Sequence, residues 1–177
     1  GGVGLGKTHL LQAVGNSLVA RPEKIKVKYL SSERFTNEVI QAIQNHSMEK
    51  VNDHYRRMDI LIIDDIQFLA GKERTQEVFF HTFNALYERN KQIILSSDRA
   101  PRAIPTLEER LRSRFEGGMI ADIGYPDHEM RVAILRAKIR ERGVNLGVDV
   151  VDYIASVIQR NIRELEGKLV QILQGLK

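Results

Sequence analysis

Glycines at positions 1, 2, 4 and 6 run directly into Lys7 and Thr8, an order of residue types suited to holding phosphate. The stretch Gly1-Gly2-Val3-Gly4-Leu5-Gly6-Lys7-Thr8 fits G-x-x-x-x-G-K-[ST], the phosphate-cradling loop of nucleoside triphosphatases. Its glycines let the backbone curl so that successive N–H groups point inward at phosphate oxygens. The following helix, expected from about Thr8 to Leu18, adds the positive end of its dipole. Lys7 would neutralise the β- and γ-phosphates, and the Thr8 hydroxyl would ligate Mg²⁺. A plain glycine-rich turn before a helix would look the same in isolation, so a matching acidic strand is needed.

That strand is Asp59-Ile60-Leu61-Ile62-Ile63-Asp64-Asp65. Its unbroken run of β-favouring apolar residues predicts burial on both faces of a parallel sheet. Acids at its C-terminal end would lie in the crevice where open α/β sheets bind ligands. Asp64 would hold Mg²⁺, directly or through water, and Asp65 could polarise an attacking water. Twin acids can merely end a strand, but after a phosphate loop they point to a triphosphatase. A further buried strand is predicted at Gln92-Ile93-Ile94-Leu95-Ser96-Ser97-Asp98, with Asp98 or Ser97 beside the crevice to sense the γ-phosphate or the water.

Several cations stand where local preference disfavours them. Lys72 and Arg74 lie near a helix N-terminus, against the dipole, where cations and free backbone N–H groups together suit a nucleic-acid phosphate. The competing reading is a solvated charged turn. Arg163 falls in the first turn of a helix capped by Asn161, again at the disfavoured end, and is a further candidate for phosphate contact. Arg110 and Arg114 sit one turn apart in a helix expected over Thr106–Phe115. They are either a solvated face paired with glutamates or an arginine finger that reaches a neighbouring subunit's nucleotide.

The elements that must position these groups follow from the apolar pattern. With 177 residues, 42% hydrophobic and 28% charged, the chain is an ordinary soluble composition with room for one large domain and a small companion. Absence of cysteine excludes disulfides and thiol chemistry and fits a reducing cytosol. None of the five histidines forms an H-E-x-x-H pair, which argues against a metal hydrolase. A net charge of +4 permits a nucleic-acid partner. No apolar run approaches a membrane span. A strand is expected at Ile25–Leu30, then a helix over Glu33–Asn45 with the stripe Phe35, Val39, Ala42 and Ile43. Ile40 falls roughly 115° from the centre of that stripe. A polar helix should follow at Ser47–Arg57, and a later helix should bury Phe79, Phe80, Phe83, Leu86 and Tyr87. Met119–Ile123 reads as a closing strand, and from His128 onward only helices are expected, at about 128–142, 148–159 and 161–175. The strand that normally feeds a phosphate loop is expected before Gly1 and is missing from the chain.

Taken in order, GGVGLGKTHLL, ILIIDDIQFLAGKERTQEVFFHTFN, IILSSDRAP, LEERLRSRFEGG and NIRELEG resemble the AAA+ ATPase family, and within it the bacterial replication initiators. The resemblance covers essentially the whole chain. It implies an α/β fold, a P-loop AAA+ three-layer parallel sheet sandwiched by helices, followed by a small α-helical lid. The base would span 1–126, with an initiator-specific helical insertion at about 33–57, and the lid 127–177. ATP or ADP with Mg²⁺ would be held by Gly2, Gly4, Gly6, Lys7, Thr8, His9 and Arg163, with Thr8 and Asp64 on the metal. Lys7, Asp64, Asp65, Asp98 as first sensor and Arg114 as finger would form the catalytic set. Arg110 and Arg114 would lie between protomers of a helical homo-oligomer. Ile40, Lys72, Arg74 and Thr75 would contact single-stranded DNA during origin opening. Further implied partners are the replicative helicase or its loader, regulatory AAA+ proteins and, by resemblance alone, acidic phospholipids. Duplex-box reading belongs to a C-terminal domain absent here, and the setting would be a bacterial cytoplasm close to the nucleoid. The rival readings are a helicase loader or regulatory paralogue acting on a protein, and a DNA-binding scaffold with inert nucleotide. Two departures stand out: Asp64-Asp65 replaces a common Asp-Glu, which suits slow hydrolysis used as a timer, and Gly117-Gly118 stands where many relatives carry an aromatic residue.

Overall fold

The computed structural model describes residues 4–175. The backbone divides into two units, one over Thr8–Ala121 and one that joins the N-terminal loop to the segment from Asp122 onward.

The first unit is built on a three-stranded parallel sheet, β1 (Val27–Ser31), β2 (Ile60–Asp64) and β3 (Gln92–Leu95), in the order β1-β2-β3. Every residue of β2 is buried, as its apolar run predicts for a central strand. Alternate side chains serve opposite faces. Leu61 and Ile63 pack with Leu30, Phe35, Phe79 and Leu86, while Ile60 and Ile62 pack with Leu11 of α1 (Lys7–Val19). Helices therefore cover both faces, which makes this a three-layer α/β sandwich.

Helix α2 (Ser32–Gln44) starts where Ser31 accepts a hydrogen bond from the Arg34 N–H at 3.2 Å. It buries Phe35, Val39 and Ala42, whereas Ile43 and Ile40 remain 37% and 44% exposed. Helix α3 (Met48–Arg56) contributes Tyr55, whose ring meets the edge of Phe35 at 5.4 Å. In α4 (Glu73–Tyr87) the buried face is Phe79, Phe83 and Leu86. Tyr87, expected inside, is 59% exposed, because it lies on the last turn beyond the edge of the core.

Two expectations are corrected here. Helix α5 (Glu109–Glu116) begins three residues later than the pattern suggested. Thr106 takes a left-handed backbone (φ 52°) and Glu108 is extended, so Leu107 enters the core ahead of the helix. Met119–Ile123 is not a strand. An alternating segment becomes a strand only when a neighbour takes up its backbone groups. No described strand pairs with it, and Met119 is 95% exposed.

In the second unit α6 (His128–Glu141), α7 (Val148–Val157) and α8 (Ile162–Gly175) close on Leu135, Ile139, Ile154, Leu165 and Leu169. Asp127 caps α6 by accepting from the Met130 N–H at 2.7 Å. Buried Arg131 ties the start of α6 to the end of α7, donating from Nε to the Ala155 carbonyl and from Nη1 to that of Pro126, each at 2.7 Å. Among the described residues no helix is long and apolar enough to cross a membrane.

Candidate functional site

The chemistry of the first unit gathers at the C-terminal end of β2. Asp64 is 3% exposed, and hydroxyl groups surround its carboxylate. Thr8 Oγ1 donates to Oδ2 at 2.5 Å and Tyr29 Oη to the same oxygen at 3.1 Å, while Ser96 Oγ donates to Oδ1. An ionised carboxylate only accepts, so this set of donors offsets the cost of burying its charge. Burial, and then the adjacent Asp64 charge, pushes the Tyr29 phenol above its ordinary pKa and keeps it a neutral donor.

Asp65 adopts a left-handed backbone (φ 58°, ψ 50°), a costly conformation for a residue with a side chain. Its neighbours hold it there. Its N–H donates to Ser96 Oγ at 3.1 Å, its carbonyl accepts from Ser32 Oγ at 2.7 Å, and its Oδ1 accepts from Gln67 Nε2 at 3.0 Å. Ser96 thus engages both acids, a contact distinct from the phosphate- or water-sensing role that the sequence pattern suggests for Ser97 or Asp98. Register brings them together, with no signal in the sequence alone: Ile63 lies opposite Leu95, so the residues that follow, Asp64 and Ser96, are neighbours. The Asp98 carboxylate takes Arg99 in a two-pronged contact, Nε to Oδ1 at 2.7 Å and Nη2 to Oδ2 at 3.0 Å.

In the second unit the glycine loop meets the start of α8. Gly4 and Gly6 have φ of 74° and 82°, which favours glycine at both. The Ile162 N–H donates to the Gly4 carbonyl at 2.8 Å, and a Cβ at Gly4 would run into the Asn161 amide. Asn161 caps α8 as expected, its Oδ1 accepting from the N–H groups of Arg163 (2.9 Å) and Glu164 (3.3 Å). Arg163 is exposed in that first turn, Lys7 opens α1, and His9 is exposed on it. Gly2 lies outside the described residues.

The remaining candidates belong to the first unit. Lys72 precedes α4 and Arg74 pairs with Glu77 at 2.6 Å. Thr75 is 4% exposed and therefore buried in the first turn of α4, while Ile40 projects from α2. Arg110 lies over the Phe80 ring at 4.5 Å and Arg114 over that of Tyr87 at 5.5 Å. Among the described residues no group of three or more His, Cys, Asp or Glu side chains could hold a metal.

A parallel sheet covered on both faces, whose central strand ends in an acid bonded to the helix after a glycine loop, defines an AAA+ type of α/β domain. The pattern of the bacterial DnaA ATPase domain matches residues 1–122, and the chain belongs to that family. It is 57% identical over 173 residues to the chromosomal replication initiator protein DnaA of Caldanaerobacter subterraneus subsp. tengcongensis, covering 98% of this chain and 39% of that protein. It therefore spans well under half the length of that relative. Among solved structures, domain III of the Thermotoga maritima DnaA superposes with a TM-score of 0.94 at 39% identity, covering 98% of this chain and 72% of that one. A replication initiator DnaA bound to AMPPCP and single-stranded DNA matches with a TM-score of 0.87 at 42% identity, covering 97% and 53%.

Proposed function

We propose that this chain is the ATP-binding core of a replication initiator, a slow ATPase whose product is a nucleotide-gated assembly on single-stranded DNA. The observation that carries this reading is the bond from the Thr8 hydroxyl to buried Asp64, which joins the residue after the glycine loop to the strand-end acid. The ATP analogue and single strand in a similar initiator support the same ligands here. In this reading Gly2, Gly4, Gly6, Lys7, His9 and Arg163 contact ATP.

Thr8 and Asp64 are the residues that would hold Mg²⁺. One hydroxyl and one carboxylate fit an ion that keeps its other positions for phosphate and water. The ion would supply charge neutralisation at the phosphates. Asp65 orients the attacking water, with its backbone fixed by Ser96 and Ser32. Asp98 senses the phosphate state, and Arg114 completes the site on a neighbouring copy. Residues 1–126 act as the base and 127–177 as the lid, with the insertion at 33–57 directing helical assembly of cytoplasmic, origin-bound protein. Lys72, Arg74, Thr75 and Ile40 contact the strand.

The test is single-strand binding by the intact protein with ATP and with ADP, for the parent and for Lys72→Ala/Arg74→Ala. Salt-sensitive binding in ATP alone, lost in the double variant, is the expected result. Equal binding in both nucleotides, or none in either, would overturn it in favour of a loader or regulator acting on a protein.

A further inference from the structure

The three arginines of α5 are held in different ways. Arg110 pairs with Glu108 at 2.8 Å and Arg112 with Glu109 at 3.6 Å. Among the described residues no carboxylate pairs with Arg114, whose guanidinium carbon lies 5.5 Å from the centre of the Tyr87 ring. This difference has a chemical consequence. A carboxylate takes up guanidinium N–H donors, whereas an aromatic ring attracts the cation through its quadrupole and takes up no carboxylate-matching pair of donors.

Tyr87 is an exposed ring, yet the core anchors it. It stacks on Phe83 with centroids 6.2 Å apart and planes at 16°, and Phe83 meets Phe115 at 6.1 Å. Both phenylalanines are buried, and Phe115 follows Arg114 directly in α5. The ring and the arginine are therefore tied to the same packed cluster, which fixes one against the other. Phe80, two turns before Tyr87, supports Arg110 in the same way.

We propose that Tyr87 is a positioning residue for Arg114: its ring holds the guanidinium in place of a carboxylate, so that the N–H donors stay available for the phosphates of a nucleoside triphosphate bound to a second copy of this chain. This rests on the reading of Arg114 as a finger. The aromatic support orients the arginine before the neighbour arrives, which reduces the ordering cost of assembly.

The test uses the intact protein at concentrations where hydrolysis depends on assembly. Tyr87→Phe, which keeps the ring face, should hydrolyse ATP like the parent. Tyr87→Leu should lose about two- to fivefold, the range of an exposed cation–π contact. Nucleotide affinity of the dilute protein should be the same in both variants and the parent. In an Arg114→Ala background Tyr87→Leu should cost nothing more, because the ring acts through the arginine. Parental hydrolysis by Tyr87→Leu beside an impaired Arg114→Ala would overturn the inference, as would an equal loss from Tyr87→Leu with and without Arg114. Parental hydrolysis by Arg114→Ala would overturn the finger reading itself, a distinguishable result.

Discussion

Ser96 is a side chain that bonds both acids at the end of β2, Asp64 and Asp65. It donates to buried Asp64 and accepts from the Asp65 N–H, so one hydroxyl stabilises a charge and a left-handed backbone together. Removing it leaves a buried carboxylate with fewer donors, and hydrogen bonds to charged groups are worth about 1.5–3 kcal/mol. Ser96→Ala should lower the free energy of unfolding by about that amount, read from urea denaturation at neutral pH. It should also weaken hydrolysis more than nucleotide binding, since Asp65 loses its anchor. A stability change below about 0.5 kcal/mol would show that Thr8 and Tyr29 suffice for Asp64.

At the scale of elements, the placement of α5 decides where the arginines stand, and buried Gln76 in α4 sets that placement. Its Nε2 donates to the carbonyls of Leu69 at 2.9 Å and Thr106 at 3.0 Å, and its Oε1 accepts from the Glu108 N–H at 2.8 Å. One side chain thus satisfies backbone groups on the short 3₁₀ turn after β2 and on the loop that enters α5. Gln76→Ala strands those groups, and a loss of roughly 2–4 kcal/mol is expected in the same unfolding experiment. Assembly-dependent hydrolysis should fall further than nucleotide affinity, because α5 carries Arg110 and Arg114.

Among the described residues the apolar clusters fall into two groups, one on the two faces of the sheet and one on α6, α7 and α8. Alkali should act on the first. Burial, together with a 2.6 Å bond to Glu38, raises the Tyr55 phenol well above its ordinary value of 10.0, and Tyr29 shifts in the same direction. Where the folded pKa is the higher one, the contribution to stability is complete below the unfolded value and fades above it, as the unfolded chain ionises first. Urea unfolding followed from pH 8 to pH 11 should therefore show stability falling above about pH 10, with a smaller fall in Tyr55→Phe. Equal slopes for the two proteins would assign the effect to other groups.

Much of this was legible in the sequence because it depends on near neighbours. The glycine spacing before Lys7, the apolar run of β2, the stripe of α2 and the Asn161 cap each follow from local backbone geometry or from a period, and α1, β2, α2 and the start of α8 lie where those signals put them. What the tertiary structure decided depends on contacts far apart in the chain. The pairing of Ser96 with Asp64 required the register of β2 against β3, and the late start of α5 required the bonds from Gln76. The aromatic seat of Arg114 required α4 to lie beside α5, and Met119–Ile123 has strand character without a described partner. An amino-acid sequence specifies which groups can bond. Which of them meet is set by packing, because hydrogen bonds and ring contacts act only within a few ångströms.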